Sequence, residues 1–355
     1  MTPLKRSTKP CKDRAETLVR LHKIMDGQNC ATNHGDGPIL VSDIPVAALP
    51  KNNKETLSVT MGIDEAGRGP VLGPMTYGAA FWTDKAKIPA GYNDSKQLSP
   101  AQRQQLFDQT LDTPDIGFVL RVLHASEISR NMFRHPQPYN LNAMSHDAAM
   151  DMIRCVLDAG VSIETCYIDT VGMPGAYKAK LDREFAGCGI AFVVEKKADS
   201  KYVQCSAASV VAKVARDTIM ERWEWTEPGY EPRDGLNFGS GYPSDPKCKE
   251  WLSKNLQDGM FCFPDLVRFS WGPAKKAVEE GGIQVEWEAD EDEDDEERQN
   301  LKGQRKRMQA FLASGGDGDG SDNQTMKLQV GAQKKARLAY FEQNKLQRVT
   351  ELIKS

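Results

Sequence analysis

The sequence predicts an α/β fold: a mixed five-stranded sheet flanked by helices, followed by a C-terminal helical extension. Two observations lead to it. Of three early extended runs, Leu57 to Ile63, Met75 to Trp82 and Ile116 to Ala125, the first two are joined by a short reversal, as in antiparallel neighbours. After them, extended and helical patterns alternate, as in parallel strands joined by helices.

The first run alternates Leu57, Val59, Met61 and Ile63 with Ser58, Thr60 and Gly62, the period of a strand with one buried face. It runs into Asp64-Glu65 and then Gly67, Gly69 and Pro70. Neighbouring strand side chains point to opposite faces, so a turn at the two acids is expected if both serve one site. Met75 to Trp82 is the second strand. A loop carries Asp94-Ser95-Lys96, and Ser99-Pro100-Ala101-Gln102 is a capping box that starts a helix. Ile116 to Ala125 is the third strand. Asn142 to Ala159 places Ala149, Met152, Ile153 and Val156 on one helical face, with Gly160 to end it. Ile163 to Val171, with Asp169, is the fourth strand; a helix from Pro174 to Phe185 leads to the fifth, Ile190 to Glu195. Asp199 precedes a long helix with Val211, Val214, Ala215, Thr218 and Ile219 on its inner face. A glycine-rich loop, a helix near Pro246 to Leu256 and the aromatic stretch Phe261 to Trp271 complete the ordered pattern.

Residues 1–56 are polar, without sustained periodicity, and are expected to be largely disordered apart from a short helix near Glu16 to Met25. Ten carboxylates lie between Glu286 and Glu297; without them the formal net charge of −4 becomes +6, which suits a polyanionic partner. This run reads as a solvated spacer or as a strap over a basic groove. Residues 314–323 read as a flexible linker, and Lys334 to Ile353 as a terminal helix able to dock on its own domain or on a partner. Eight cysteines without Cys-x-x-Cys pairs suggest free thiols in a reducing compartment. No apolar signal core or membrane span is evident, so a soluble intracellular protein is expected.

Asp64, Glu65, Asp169 and Asp199 all fall where strands end or helices begin. A strand ending in a polar turn is the plain reading of the first pair. The sharper reading is a shared site for hard divalent cations, which take carboxylate oxygens, water and substrate phosphate as ligands. Crowded carboxylates repel, so at least one is expected to resist ionising without metal. Taken alone, Tyr242 reads as a buried loop aromatic, Lys96 as a solvated lysine, and His146 as a structural histidine.

Residues 62–74, Gly-Ile-Asp-Glu-Ala-Gly-Arg-Gly-Pro-Val-Leu-Gly-Pro, resemble the signature of type 2 ribonuclease H. So, in family order, do Asp94-Ser95-Lys96, the strand Tyr167 to Gly172 and Lys197-Ala198-Asp199. The same holds for Ser206 to Ser209, Lys213 to Asp217 and Gly239 to Pro243. Arg268-Phe269-Ser270-Trp271, the acidic run and the tail are similar to the eukaryotic catalytic subunit rather than the shorter bacterial enzymes.

The resemblance implies a ribonuclease H-like fold, cleavage of the RNA strand in RNA–DNA hybrids and incision 5′ to single ribonucleotides in duplex DNA. It implies that Asp64, Glu65, Asp169 and Asp199 hold two divalent cations, Mg2+ with Mn2+ as the alternative. The products would carry a 3′-hydroxyl and a 5′-phosphate. Backbone groups of Gly67, Arg68 and Gly69 would contact the 2′-hydroxyl, the one group that separates ribose from deoxyribose. Tyr242 would pack on the adjoining sugar, Lys96 would bind a phosphate, and Arg216, which taken alone could pair with Asp217 or a neighbouring carboxylate, would support the site and contact nucleic acid. Two accessory subunits in a heterotrimer would engage the carboxy-terminal region, and no membrane is involved. Nuclear localisation, with a cytoplasmic pool, fits Lys5-Arg6 and Arg305-Lys306-Arg307.

The expected organisation is a disordered extension (1–56), a catalytic domain (57–232) and a helical subdomain completing the substrate groove (233–283). An acidic linker (284–300) and a tail with a docking helix (301–355) follow. A non-catalytic nucleic-acid binder on the same fold is the main competitor; clustered acids facing phosphates argue against it.

Overall fold

The computed structural model describes residues 9–25, 37–49, 57–92, 98–225, 227, 230, 232–256 and 262–281. Its elements in chain order are α1 (Arg14–Met25), β1 (Ile39–Val41), β2 (Val59–Ala66), β3 (Met75–Thr83), α2 (Pro100–Asp112), β4 (Gly117–Leu123), α3 (Ala125–Met132) and α4 (Leu141–Asp158). There follow β5 (Ile163–Asp169), α5 (Pro174–Glu184), β6 (Ala191–Glu195), α6 (Val203–Glu221), α7 (Pro246–Asn255) and α8 (Gly272–Gly281).

The sheet has six strands in the order β1-β4-β3-β2-β5-β6. Each neighbouring pair among the first four is antiparallel; β5 and β6 add in parallel beside β2. Alternation sorts β3 side chains between two cores. Tyr77, Ala79 and Phe81 pack with α4 residues such as Ala149, Met152 and Ile153. Ala80 and Trp82 pack with α6 residues such as Val210 and Val211. The close approach of α6 depends on Gly78, where a β-carbon would fall 2.2 Å from the Ala208 carbonyl oxygen. A third core joins Val71, Leu72 and Met220 to Trp251, Phe263, Leu266 and Val267.

The sixth strand corrects the sequence expectation. Within the supposedly disordered first 56 residues, β1 pairs with β4 through Ile39↔Arg121 and Val41↔Val119. Leu21, Ile24 and Met25 of α1 are buried in the α6-side core. The attachment is polar as well as apolar: Gly37 N–H donates to Glu127 at 2.7 Å, and its carbonyl accepts from Arg121 at 2.5 Å. Arg121 and Glu127 are themselves a buried ion pair at 2.7 Å. Thr17 Oγ1 donates to Asp43, and Arg14 pairs with the same carboxylate at 3.3 Å. The acidic run and the terminal helix expected over 334–353 lie outside the described residues.

Candidate active site

Strand β2 carries Asp64 and Glu65 in regular pairing, opposite Gly78 and Tyr77, and continues to Ala66. The turn expected at the two acids instead begins at Gly67, which takes φ +79°. A β-carbon there would also meet Arg216 Nε at 2.1 Å, so the position needs glycine for both conformation and space. The two carboxylates consequently leave the sheet by opposite faces. Asp64 bonds Ser209 of α6, whereas Glu65 lies cross-strand from Tyr77 on the α4 side.

The parallel pairing of β2 with β5 stops at Ile63↔Ile168, which places Asp64 and Asp169 one residue beyond it on neighbouring strands. Asp169 Oδ1 accepts from Thr170 N–H at 3.0 Å and Ala198 N–H at 3.4 Å. The second bond ties it to the turn that carries Asp199. That turn is made by Lys197 in the left-handed region (φ 58°), followed by a 3-10 helix over Ala198–Ser200 in which Asp199 is buried.

Electrostatics couple these acids. Burial, and then the charges of Asp169 and Asp199, push Asp64 up to about 7 against the pull of its Ser209 and Glu65 N–H hydrogen bonds. Glu65 is pushed up to about 8 by burial first, then by Asp64 and Asp169. Asp169 is raised by burial and Asp199. Resistance to ionisation was expected from repulsion; loss of hydration is the larger cause. The donor set is carboxylate oxygen throughout, which suits a hard cation. Among the described residues no three acidic, histidine or cysteine side chains close on one point as a ready-made metal cage. A cation here would take its remaining ligands from water and substrate phosphate, the usual habit of magnesium.

Beside the acids lies a groove of about 810 Å³ lined by Glu65, Gly67, Arg68, Gly69, Arg216 and Tyr242. Asp64, Asp169 and Asp199 are not part of that lining, so the groove meets the acid cluster only at Glu65. Tyr242 is 44% exposed, and its ring abuts Gly69: a β-carbon on Gly69 would come 2.9 Å from Cε1. Tyr242 is therefore not the buried loop aromatic it reads as in isolation. Arg68 spends its side chain on the start of α4, donating to Ser145 Oγ at 2.7 Å and to Asn142 Oδ1. Arg216 is buried and donates to the carbonyls of Pro74 and Leu72, both at 3.2 Å, so its guanidinium braces the loop. Asp217 pairs with Arg103 instead, at 3.4 Å. Lys96 lies outside the described residues. His146 stacks on Tyr177 with centroids 3.8 Å apart and bonds the Val171 carbonyl, a structural role.

Among the residues that escaped the sequence reading as site components, four are basic or aromatic groups at the groove or its glycine loop. Arg103 and Lys213 line the groove. Arg268 and Trp271 grip the glycine loop from behind: Arg268 donates to the carbonyls of Gly67, Arg68 and Gly73, and Trp271 Nε1 to that of Gly69. For Arg268 and Trp271 the signal in the sequence was the Arg-Phe-Ser-Trp string, which says nothing about contacts some 200 residues away; Lys213 lay in a recognised motif without a stated role.

Comparison with known proteins identifies the family. A family model described as Ribonuclease HII matches residues 61–274. The A subunit of ribonuclease H2 from Arabidopsis thaliana is 38% identical over 294 residues, covering 82% of this chain and 94% of that one. The Homo sapiens protein of the same name is 40% identical over 260 residues, covering 72% and 82%. The crystal structure of ribonuclease H2 from Pyrococcus horikoshii OT3 is 31% identical, with a TM-score of 0.50, and covers 64% of this chain and all of that one. The chain thus belongs to the ribonuclease HII family, as a type 2 ribonuclease H of the eukaryotic catalytic-subunit kind.

Proposed function

We propose that this ribonuclease H, which cuts the RNA strand of RNA–DNA hybrids, also incises duplex DNA 5′ to a single embedded ribonucleotide, leaving a 3′-hydroxyl and a 5′-phosphate. The observation that carries the reading is the contact of Tyr242 with Gly69 in a groove that meets the acid cluster at Glu65. A sugar lying against Gly67 to Gly69 can approach main chain without an intervening β-carbon, so its 2′-hydroxyl can be recognised by backbone groups. The Tyr242 ring would pack on the next sugar, where a deoxyribose fits best.

Asp64, Glu65, Asp169 and Asp199 are the residues that would hold two divalent cations, Mg2+ or alternatively Mn2+. When bound, such a pair activates the attacking water and stabilises the leaving oxygen. The acids' own contribution is to fix ligand oxygens on two adjacent strands and the following turn. Lys96 and the basic residues around Asp199 would attract the phosphate backbone. Arg216 acts by bracing the loop.

The relatives are named as one lettered component of ribonuclease H2, which supports assembly with further subunits. Two accessory subunits engaging residues 301–355 are the arrangement we propose. A nuclear role in replication and in removal of ribonucleotides from DNA follows from the substrate, and imaging of the tagged full-length chain tests the location.

The function is tested with a labelled duplex containing one ribonucleotide, an RNA–DNA hybrid and an all-DNA duplex, each with Mg2+ and with or without the partner subunits. Cutting of the first at the 5′ side of the ribonucleotide is expected. Cutting at its 3′ side, or equal cutting of the all-DNA duplex, would overturn the reading.

A further inference from the structure

Four hydrogen bonds converge on the back of the loop that follows β2. The Arg268 guanidinium, fully buried, donates through Nη2 to the Gly67 carbonyl at 2.6 Å, through Nη1 to Arg68 at 3.1 Å and through Nε to Gly73 at 2.8 Å. Trp271 Nε1 donates to the Gly69 carbonyl at 3.0 Å, and its ring lies under the same guanidinium at 4.8 Å. Three consecutive carbonyls, 67 to 69, are therefore held from one side by one short segment between Val267 and α8.

The peptide units of this loop are trans. In a planar trans unit the carbonyl and the N–H point in opposite directions. Drawing the carbonyls of Gly67 and Arg68 toward Arg268 turns the N–H groups of Arg68 and Gly69 the other way. The other way is the groove, because Gly67, Arg68 and Gly69 line it and Arg268 does not. The unit after Gly69 has no N–H, since Pro70 follows. Its only polar group is the carbonyl that Trp271 holds back, so the groove side presents donors without a competing acceptor at that point.

We infer that Arg268 and Trp271 are positioning residues for sugar discrimination: they orient the Arg68 and Gly69 amides toward the 2′-hydroxyl and keep the Gly69 carbonyl from turning into the groove. This rests on the proposed reading of the glycine loop as the ribose sensor. The assignment separates the two arginines on the loop, for Arg216 braces Leu72 and Pro74 whereas Arg268 reaches the sensing residues themselves.

Trp271→Phe is the informative variant, because it keeps an aromatic ring and removes only the N–H. In the full-length chain, binding is measured by fluorescence anisotropy with Ca2+ for two duplexes that differ in one 2′-hydroxyl, alongside the melting temperature. Losing one neutral hydrogen bond should reduce the ratio of the two affinities about three- to tenfold, with all-DNA affinity and melting temperature little changed. Arg268→Lys, which can hold at most part of the fork, should reduce the ratio further, measured below its melting temperature. An unchanged ratio in Trp271→Phe overturns the inference, as does a uniform loss for both duplexes, which would mean general support. If the wild-type chain itself fails to separate the two duplexes, the sensor reading fails instead.

Discussion

Gly69 and Tyr242 occupy space that a single methyl group would contest: a β-carbon on Gly69 would stand 2.9 Å from the tyrosine Cε1. Gly69→Ala must therefore push the ring aside or move the loop. Because Tyr242 is partly exposed, the ring can yield, and the fold should survive with a melting temperature within about 2 °C of wild type. Incision at a single ribonucleotide should fall by at least about tenfold in kcat/KM, and cleavage of a continuous hybrid should fall less. Equal losses on both substrates would show that the contact does not serve the junction sugar.

Replacing Asp64 by Asn separates stability from activity. In the folded chain Asp64 holds its proton to about pH 7, against an ordinary value of 3.8. Between those values the unfolded chain is the better acid, so wild-type stability without metal declines as pH rises from about 4 to 7. The asparagine carries no charge to bury. At pH 8 in EDTA, Asp64→Asn should unfold at a higher temperature than wild type, by on the order of 2 kcal/mol of stability. Added Mg2+ should raise the melting temperature of wild type more than that of the variant. A variant less stable than wild type at pH 8 would contradict this.

His124 provides a pH response of the opposite sign, away from the acids. Burial, with Arg121 beside it, lowers its pKa from 6.5 to about 4. The unfolded chain binds the proton first, so stability should fall as pH drops from about 6.5 to 4, by up to about 3 kcal/mol. His124→Gln, which does not titrate, should show a shallower decline in urea melts across that window. Parallel curves for the two proteins would rule out the assignment.

The docking of the N-terminal segment is tested at Leu21, which is 1% exposed. Leu21→Ala should cost about 2–5 kcal/mol, the range for a buried leucine that leaves a cavity. A change under about 0.5 kcal/mol would mean that α1 does not belong to the core.

How far the sequence carried the fold depended on run length. β2, β3 and β5 show alternation or sustained apolar runs, and α2 its capping box, so they were legible to within about three residues at their ends. The short helix expected near Glu16 to Met25 is α1, but its docking on the core was not legible, and β1, three residues long, repeats its pattern too little to stand out from polar surroundings; the burial of both comes from partners elsewhere in the chain. The acids stood out because each sits where a strand ends or a helix begins. Arg68 and Arg216 belong to the recognised motifs, but their side chains turn to Ser145, Asn142 and loop carbonyls. Arg268 was out of reach: an arginine is ordinarily a surface residue, and only the folded chain brings it behind Gly67.

The proposed shared use of Asp64 and Asp169 as ligands in phosphodiester hydrolysis is probed most directly by single-turnover cleavage of a duplex with one ribonucleotide, comparing wild type with Asp169→Asn in Mg2+. The variant should bind the duplex with near-wild-type affinity and cut it at least about a thousandfold more slowly, on the scale expected when a dominant electrostatic contribution to the transition state is lost. Cleavage by Asp169→Asn at the wild-type rate would remove the carboxylate cluster from the chemistry.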